Sequence, residues 1–294
     1  MALVGRSGSL DWLCWPSFDS DACFAALLGD ERHGYWWLRP AEEIKRSSRS
    51  YRGDSLILET RFETVDGVVT LIDFMPPRGK ASDVIRLVRC ERGRVKMRMD
   101  LVIRFGFGKN APWVRRTEDK ALLAVCGPDM LVLRTPVEMR GEDMTTVADF
   151  EVSAGQTIPF VMTYGASHLE IPASIDATTA LKETEAFWAD WSGKFEYDGP
   201  YHHMSLRSLI TLKAMIYAPS GGIVAAPTTS LPEKLGGARN WDYRFCWLRD
   251  ATFTLLALMN SGYYDEARAW HNWLLRSVAG SPSDMQIMYG IIGQ

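Results

Sequence analysis

The chain has 294 residues, with 33 basic and 36 acidic side chains and a formal net charge of −3. A hydrophobic fraction of 47% is that of a globular core, which excludes a disordered chain, and the length suits one large or two ordinary domains. The near-balance of charge argues against a dedicated nucleic-acid binder, and no stretch approaches the ~18 consecutive apolar residues of a membrane span.

The opening MALVGRSGSL holds no long apolar run, so no secretory leader is expected. Strand-like alternation then dominates to roughly residue 165. In 55–64, Leu56, Leu58 and Phe62 alternate with Glu59, Arg61 and Glu63. In 95–105, Val95, Met97, Met99, Leu101, Ile103 and Phe105 take one face, opposite Lys96, Arg98, Asp100 and Arg104, with Val102 out of step. Shorter runs at 68–75, 84–89, 121–126, 130–134, 145–152 and 158–164 are separated by turn signals such as Asp66-Gly67, Arg92-Gly93 and Ala154-Gly155. Many short strands so spaced predict an antiparallel β-sandwich. Their basic faces read as a solvated outer surface, because acidic residues are interleaved with the basic ones.

After Pro172 the period becomes helical. Helices are expected over 174–195, with Ser174 or Asp176 as N-cap, and over 203–218, with Leu206, Leu209, Ile210 and Met215 on one side. Two more follow at 250–261 and 264–278, divided by Ser261-Gly262. Between the second and third lies a long Gly/Pro-containing loop, 219–248, and loops of that length in a helical region are more often functional than idle.

That loop runs into NWDYRFCWLRD at 240–250. Trp241, Tyr243, Phe245 and Trp247 fall at every second place, and Asp242, Arg244, Arg249 and Asp250 supply charge. Sugars suit this mixture: aromatic rings cover the apolar face of a pyranose, while guanidinium and carboxylate groups bond its hydroxyls. A plainer reading makes the alternating aromatics one buried face of an extended segment and Asp250 a helix N-cap. Arg249 and Asp250, as helix neighbours, are expected to diverge without pairing.

The five cysteines, Cys14, Cys23, Cys90, Cys126 and Cys246, are odd in number, widely spaced and without a CxxC. They suggest reduced thiols in a cytoplasmic protein. The five histidines are dispersed apart from His202 and His203, no Cys/His spacing resembles a zinc site, and no metal is expected.

Three stretches carry a wider likeness: GRSGSLDWLCWPSFDSDACFAALLGD at 5–30, IVAAPTTSLPEKLGGARNWDYRFCWLRDATFTLLAL at 223–258 and MQIMYGI at 285–291. Together they resemble the family 15 glycoside hydrolases, which include glucoamylases and some bacterial trehalases. The resemblance implies an α+β multidomain chain, with an N-terminal antiparallel β-sandwich, a linker helix and an (α/α)6 barrel. It implies cleavage of α-glucosidic bonds with inversion and without an organic cofactor. By motif position, Arg249 and Asp250 grip the outer hydroxyls of a terminal glucose, Tyr243 lines that subsite near the attacking water, and Trp247 shapes the wall. Trp241 is a further substrate contact, Asp242 orients the loop, and 227–233 is structural support.

Twelve helices of ~11–12 residues with loops of ~4–6 need roughly 200 residues, whereas about 95 follow residue 200. The expected division is therefore a sandwich over 1–170, a linker helix within 171–200 and a truncated barrel over 201–294. An inverting glycosidase needs two carboxyl groups ~6.5–9.5 Å apart. By the resemblance both lie beyond Gln294, so no catalytic residue is assigned here and the chain alone is expected to be inactive. Asp19, Asp21 and Glu31 are expected to be structural. The leading expectation is glucoamylase-like release of glucose from α-glucan oligosaccharides. Trehalose is the alternative substrate, since the motif grips a terminal glucose in either case. A non-catalytic carbohydrate-binding sandwich is the alternative from another class. No nucleic-acid or membrane partner is expected.

Overall fold

The computed structural model describes residues 1–278 and 280–294. They form two compact units: Ala2–Pro16 with Asp21–Trp188, and Met1 with Ser17–Ser20 and Ala189–Gln294.

The first unit is a β-sandwich. Its strands begin with β1 (Ala2–Val4), β2 (Ser9–Cys14), β3 (Ala22–Phe24), β4 (Tyr35–Pro40) and β5 (Arg46–Tyr51). They continue with β6 (Leu58–Glu63), β7 (Gly67–Phe74), β8 (Ser82–Val102), β9 (Trp113–Arg116) and β10 (Leu122–Cys126). The last are β11 (Asp129–Arg134), β12 (Arg140–Glu142), β13 (Thr145–Ser153) and β14 (Thr157–Ala166). All pairings are antiparallel. One layer runs β1-β2-β4-β8-β13-β12, with β3 also on β2, and the other runs β5-β6-β7-β8-β14-β11-β10-β9.

The strand β8 belongs to both layers. Its 21 residues span roughly 70 Å at ~3.3 Å per residue, too long for one layer. It changes layer near Gly93, whose φ of +70° leaves no room for a side chain: a Cβ there would lie 2.0 Å from the Asp66 carbonyl. The runs expected at 84–89 and 95–105 are therefore one bent strand, and it stops at Val102. Arg92-Gly93 is a kink within it, not a turn between strands.

Burial explains the two patterns along β8. In its first half Val84 and Val88 face the sandwich interior with Leu71, Trp36 and Phe160, while Ile85 and Leu87 face outward. There they pack with Ile72 and Phe74 under Ala177 and Ala180 of a helix, α1 (Ala177–Ser192). Two-sided burial produces a continuous apolar run rather than alternation. In the second half Val95, Met97, Met99 and Leu101 alone turn inward. On the outer face Arg94 meets Glu151, and Arg98 meets Asp100, Glu142 and Asp149.

Asp176, not Ser174, caps α1: its Oδ1 accepts the Thr179 N–H at 2.7 Å. The next helix, α2 (His202–Ala214), buries Leu206, Leu209 and Ile210. It ends before the expected residue 218 because β15 (Ile216–Tyr217) turns back onto β16 (Gly222–Ile223). After β17 (Cys246–Trp247) come α3 (Leu248–Asn260) and α4 (Tyr264–Ser277), and then β18 (Met288–Tyr289), which pairs with β17. Ser261-Gly262 divides α3 from α4 as expected. Gly262 at φ +88° donates to Met259 O, and Tyr263 donates to Leu258 O, a Schellman closure. Trp270, Trp273, Cys246, Ile223, Tyr289 and Ile291 form the core of this second unit. No described helix is long and apolar enough to cross a membrane.

Candidate sugar-binding site

Segment 219–248 carries more structure than its Gly/Pro content suggests. Residues 225–230 run beside 241–245: Ala225 and Ala226 donate to Phe245 O and Tyr243 O, and Ser230 donates to Trp241 O. A bridge joins Thr229 to Asp242. The chain then enters β17, and Leu248 N–H donates to Ile287 O.

Extended backbone sends alternate side chains to opposite sides. The expected buried aromatic face is not what results. Arg244 and Cys246 are buried, Tyr243 and Phe245 are half-buried, and Trp241 is 40% exposed. Only Trp247 among the four aromatics is buried, and it gathers two of the others. Trp241 and Tyr243 meet its ring edge-on at 6.0 and 5.7 Å, and its indole N–H donates to Asp242 O at 2.8 Å. Burial pushes the Cys246 thiol up to about 12.

The buried Arg244 holds this loop. Its Nε and Nη2 donate to the two carboxylate oxygens of Asp242 at 3.0 and 2.7 Å, and Nη1 donates to Phe18 O and Ser20 O at 3.2 and 2.6 Å. Asp242 Oδ1 also accepts the Arg244 N–H at 3.0 Å, an Asx turn that starts the approach to β17. Asp19, between the two carbonyls held by Arg244, accepts the Ile291 N–H at 3.0 Å. Its other carboxylate oxygen accepts the Ser17 hydroxyl. Glu31 lies in an exposed single-turn 3-10 helix, and Asp21 is exposed.

The structure corrects two expectations at the start of α3. Asp250 is not the N-cap: the helix begins at Leu248, Trp247 takes the cap position without a side-chain bond, and Asp250 lies in the first turn. Its carboxylate is favoured there by the helix dipole. Arg249 and Asp250 also do pair, with Nη2 3.0 Å from Oδ2. Helix neighbours point apart at Cβ, but the long arginine stem lets the guanidinium fold back across the open first turn. The five candidate residues thus fall into two groups. Trp241, Tyr243 and Trp247 form a ring cluster, and Arg249 with Asp250 form a surface ion pair. Among the described residues no hydrogen bond links the groups.

Residue types alone did not reveal two supports. One is the Arg244 grip, for which Asp-x-Arg was the available signal. The other is Glu233, which accepts the Trp241 indole N–H at 2.9 Å. Among the described residues no cluster of three or more His, Cys, Asp or Glu side chains is placed to hold a metal ion.

Two family models match the chain: Trehalase-like, N-terminal, over residues 1–188, and Glycosyl hydrolases family 15, over residues 199–294. The chain belongs to the trehalase/glucoamylase-like glycosyl hydrolase family 15. Within this family it is 33% identical to a trehalase of Thermoplasma acidophilum over 272 residues, covering 90% of this chain and 46% of that protein. It is 33% identical to trehalase 1 of Sulfolobus acidocaldarius over 282 residues, covering 94% and 46%. With a trehalase of Mycobacterium tuberculosis it shares 31% over 325 residues, covering 99% and 47%. The chain thus spans about half the length of the curated relatives it matches. Among solved structures, a bacterial glucoamylase complexed with acarbose shares the fold, with a TM-score of 0.71 at 14% identity over 98% of this chain and 49% of that one.

Proposed function

We propose that this chain carries the sandwich and the opening part of the (α/α)6 barrel of an inverting exo-glycosidase acting on trehalose. In this reading the sandwich domain is 1–170, the linker helix lies within 171–200, and 201–294 begins the barrel. The observation that carries trehalose is the 31–33% identity to proteins named trehalase across 90–99% of the chain. Release of glucose from α-glucan oligosaccharides is the second reading, favoured by the glucoamylase fold.

Arg249 and Asp250 exchange their mutual ion pair for the outer hydroxyls of a terminal glucose. An exposed ion pair is worth little in water, so the exchange costs little. Tyr243 and Trp241 offer ring surface to the sugar, and Trp247 forms the wall that sets their angle. The general acid and base belong to the portion of such an enzyme that these residues do not span, so the 294-residue chain by itself hydrolyses neither sugar. Phe253, Leu256 and Met259 stand exposed along α3, which suits a helix that meets further helices in a complete barrel.

The test uses the enzyme with its barrel complete. Arg249→Ala removes charge-assisted hydrogen bonds worth ~1.5–3 kcal/mol, so kcat/KM for trehalose falls about 10- to 150-fold. Asp250→Asn loses activity out of proportion to its small effect on melting temperature, because an amide presents donors where the carboxylate had none. Near-normal turnover of both trehalose and maltooligosaccharides by Asp250→Asn overturns the sugar grip. Faster hydrolysis of maltooligosaccharides than of trehalose by the unaltered enzyme moves the substrate to the second reading. Glucose release by the purified 294-residue chain overturns the placement of the acid and base.

A further inference from the structure

A groove of about 820 Å3 opens at the rim of the sandwich, between the edge strand β9 of one layer and the edge strand β12 of the other. Leu101, Ile103, Leu122 and Met139 line its buried apolar part. Nothing in the loop 240–250 belongs to it.

Three independent features of the lining need a reason. Trp113 lines the groove and is 88% exposed, although a buried indole removes roughly 150–250 Å2 from water and is one of the largest burial gains available to a fold. Arg104, Arg115 and Arg116 also line it, and among the described residues no carboxylate lies within ion-pair distance of any of them. Arg104 donates to the Ile103 carbonyl at 2.7 Å, and burial holds its pKa below the ordinary arginine value. Arg140 and Glu142 on the opposite wall, by contrast, neutralise each other at 2.7 Å. Finally, the turn from β12 to β13 places Asp143 and Met144 at φ +44° and +63°, left-handed conformations that are strained in a residue such as Met. The strained turn presents both side chains to the groove.

A free aromatic surface, guanidinium groups without a carboxylate partner and a carboxylate acceptor above an apolar floor are what a pyranose requires, and the volume falls in the range of small-molecule sites. We propose that this groove is a second saccharide-binding site that takes a short gluco-oligosaccharide. Trp113 covers an apolar sugar face, Arg104 and Arg116 donate to ring hydroxyls, and Asp143 accepts from them. The kind of sugar rests on the proposed function, whereas the groove itself does not.

The 294-residue chain is labelled with 5-fluorotryptophan, and the Trp113 fluorine resonance is assigned by its loss in Trp113→Phe. Maltotriose and trehalose are then titrated separately. The Trp113 resonance is expected to move saturably with at least one sugar. Arg104→Ala is expected to raise the midpoint about 10- to 150-fold. Arg104 is half-buried, so Arg116→Ala on the exposed strand β9 is the second variant, with the same expected direction. Arg249→Ala leaves the Trp113 titration unchanged, which keeps this result separate from the reading of the loop. A Trp113 resonance that ignores both sugars overturns the proposal. So does one that moves with protein concentration alone, since two copies pairing through β9 would then explain the exposed edge.

Discussion

Each unit of this protein contains an arginine that makes the same four-point grip. In the sandwich, Arg86 donates to both oxygens of Asp73 and to the carbonyls of Trp36 and Gly8. In the helical unit, Arg244 donates to both oxygens of Asp242 and to the carbonyls of Phe18 and Ser20. The settings differ. Arg86 and Asp73 face each other across β7 and β8 in a fully buried position. Arg244 holds a carboxylate two residues away, and the Asp242 side chain keeps 26% of its surface in solvent. The sandwich grip therefore joins strands distant in sequence within a dry core. The loop grip fixes the local shape of a segment that must present rings and charges at the surface.

The largest expected effect tests the sandwich side of that contrast. Asp73→Asn leaves a buried guanidinium without its counter-charge, and breaking such a pair costs ~3–5 kcal/mol. Denaturant unfolding of the variant measures this directly, and a loss below about 1 kcal/mol would remove the distinction between the grips. Asp242→Asn is expected to cost less, ~1.5–3 kcal/mol, because solvent screens the half-exposed carboxylate already. Its loss is expected to be local. Hydrogen exchange should quicken at 241–250 while the strands of the sandwich stay protected. Equal quickening in both places would show that the loop grip carries global stability.

Much of the sandwich was legible because alternation needs only neighbours in sequence. Val95, Met97, Met99 and Leu101 turn inward as their spacing predicts, and Ser261-Gly262 closes α3 where its residue types say it should. The rest depends on partners that sequence order does not bring together. Gly93 reads as a turn locally, and only pairing of β8 with four other strands shows it to be a bend. Arg86 sits in an apolar run with nothing nearby to announce Asp73, and Arg244 holds carbonyls of Phe18 and Ser20 from the other end of the chain. In the candidate site, the composition of 240–250 pointed to the loop, but not to which aromatics stay exposed. That was decided by Arg244 and Cys246 taking the inward positions.

Acid response sharpens the comparison further, since the two units carry buried carboxyls shifted in opposite directions. In the sandwich, burial raises the Asp83 carboxyl above its ordinary range, against the opposing pull of the Thr163 hydroxyl and Arg134. A raised acid favours the protonated folded state, so its stabilising contribution is full below the unfolded pKa and is lost as pH rises through the folded value. In the helical unit, burial pushes Glu266 up, but hydrogen bonds from Lys213 and the Trp191 indole, each at 2.7 Å, bring it below its ordinary range. Its contribution is present above the unfolded carboxylate pKa of ~4.3 and is lost as pH falls through the folded value. Glu266→Gln is therefore expected to flatten the acid limb of stability below about pH 4.3, and Asp83→Asn to raise stability at neutral pH. Parallel acid limbs in Glu266→Gln and the unaltered chain would show that Lys213 does not stabilise the ionised carboxylate.

The smallest expected effect is a redox response of zero, and it is the point at which the two units should agree. Cys14, Cys23 and Cys90 in the sandwich and Cys246 in the helical unit are buried and in no disulfide, while Cys126 at the end of β10 is partly exposed. Burial raises the thiols of Cys23, Cys90 and Cys246 above their ordinary range. The thiolate is the reactive form, so these sulfurs are slow nucleophiles as well as shielded ones. Reductant should leave the melting temperature unchanged, and a thiol reagent should label Cys126 first in the native chain, with the buried four following only on unfolding. A marked fall in melting temperature with reductant would require a structural disulfide. Rapid labelling of Cys246 without unfolding would mean that β17 opens on its own, and the loop held by Arg244 would then be a far looser frame for the proposed sugar site than its hydrogen bonds describe.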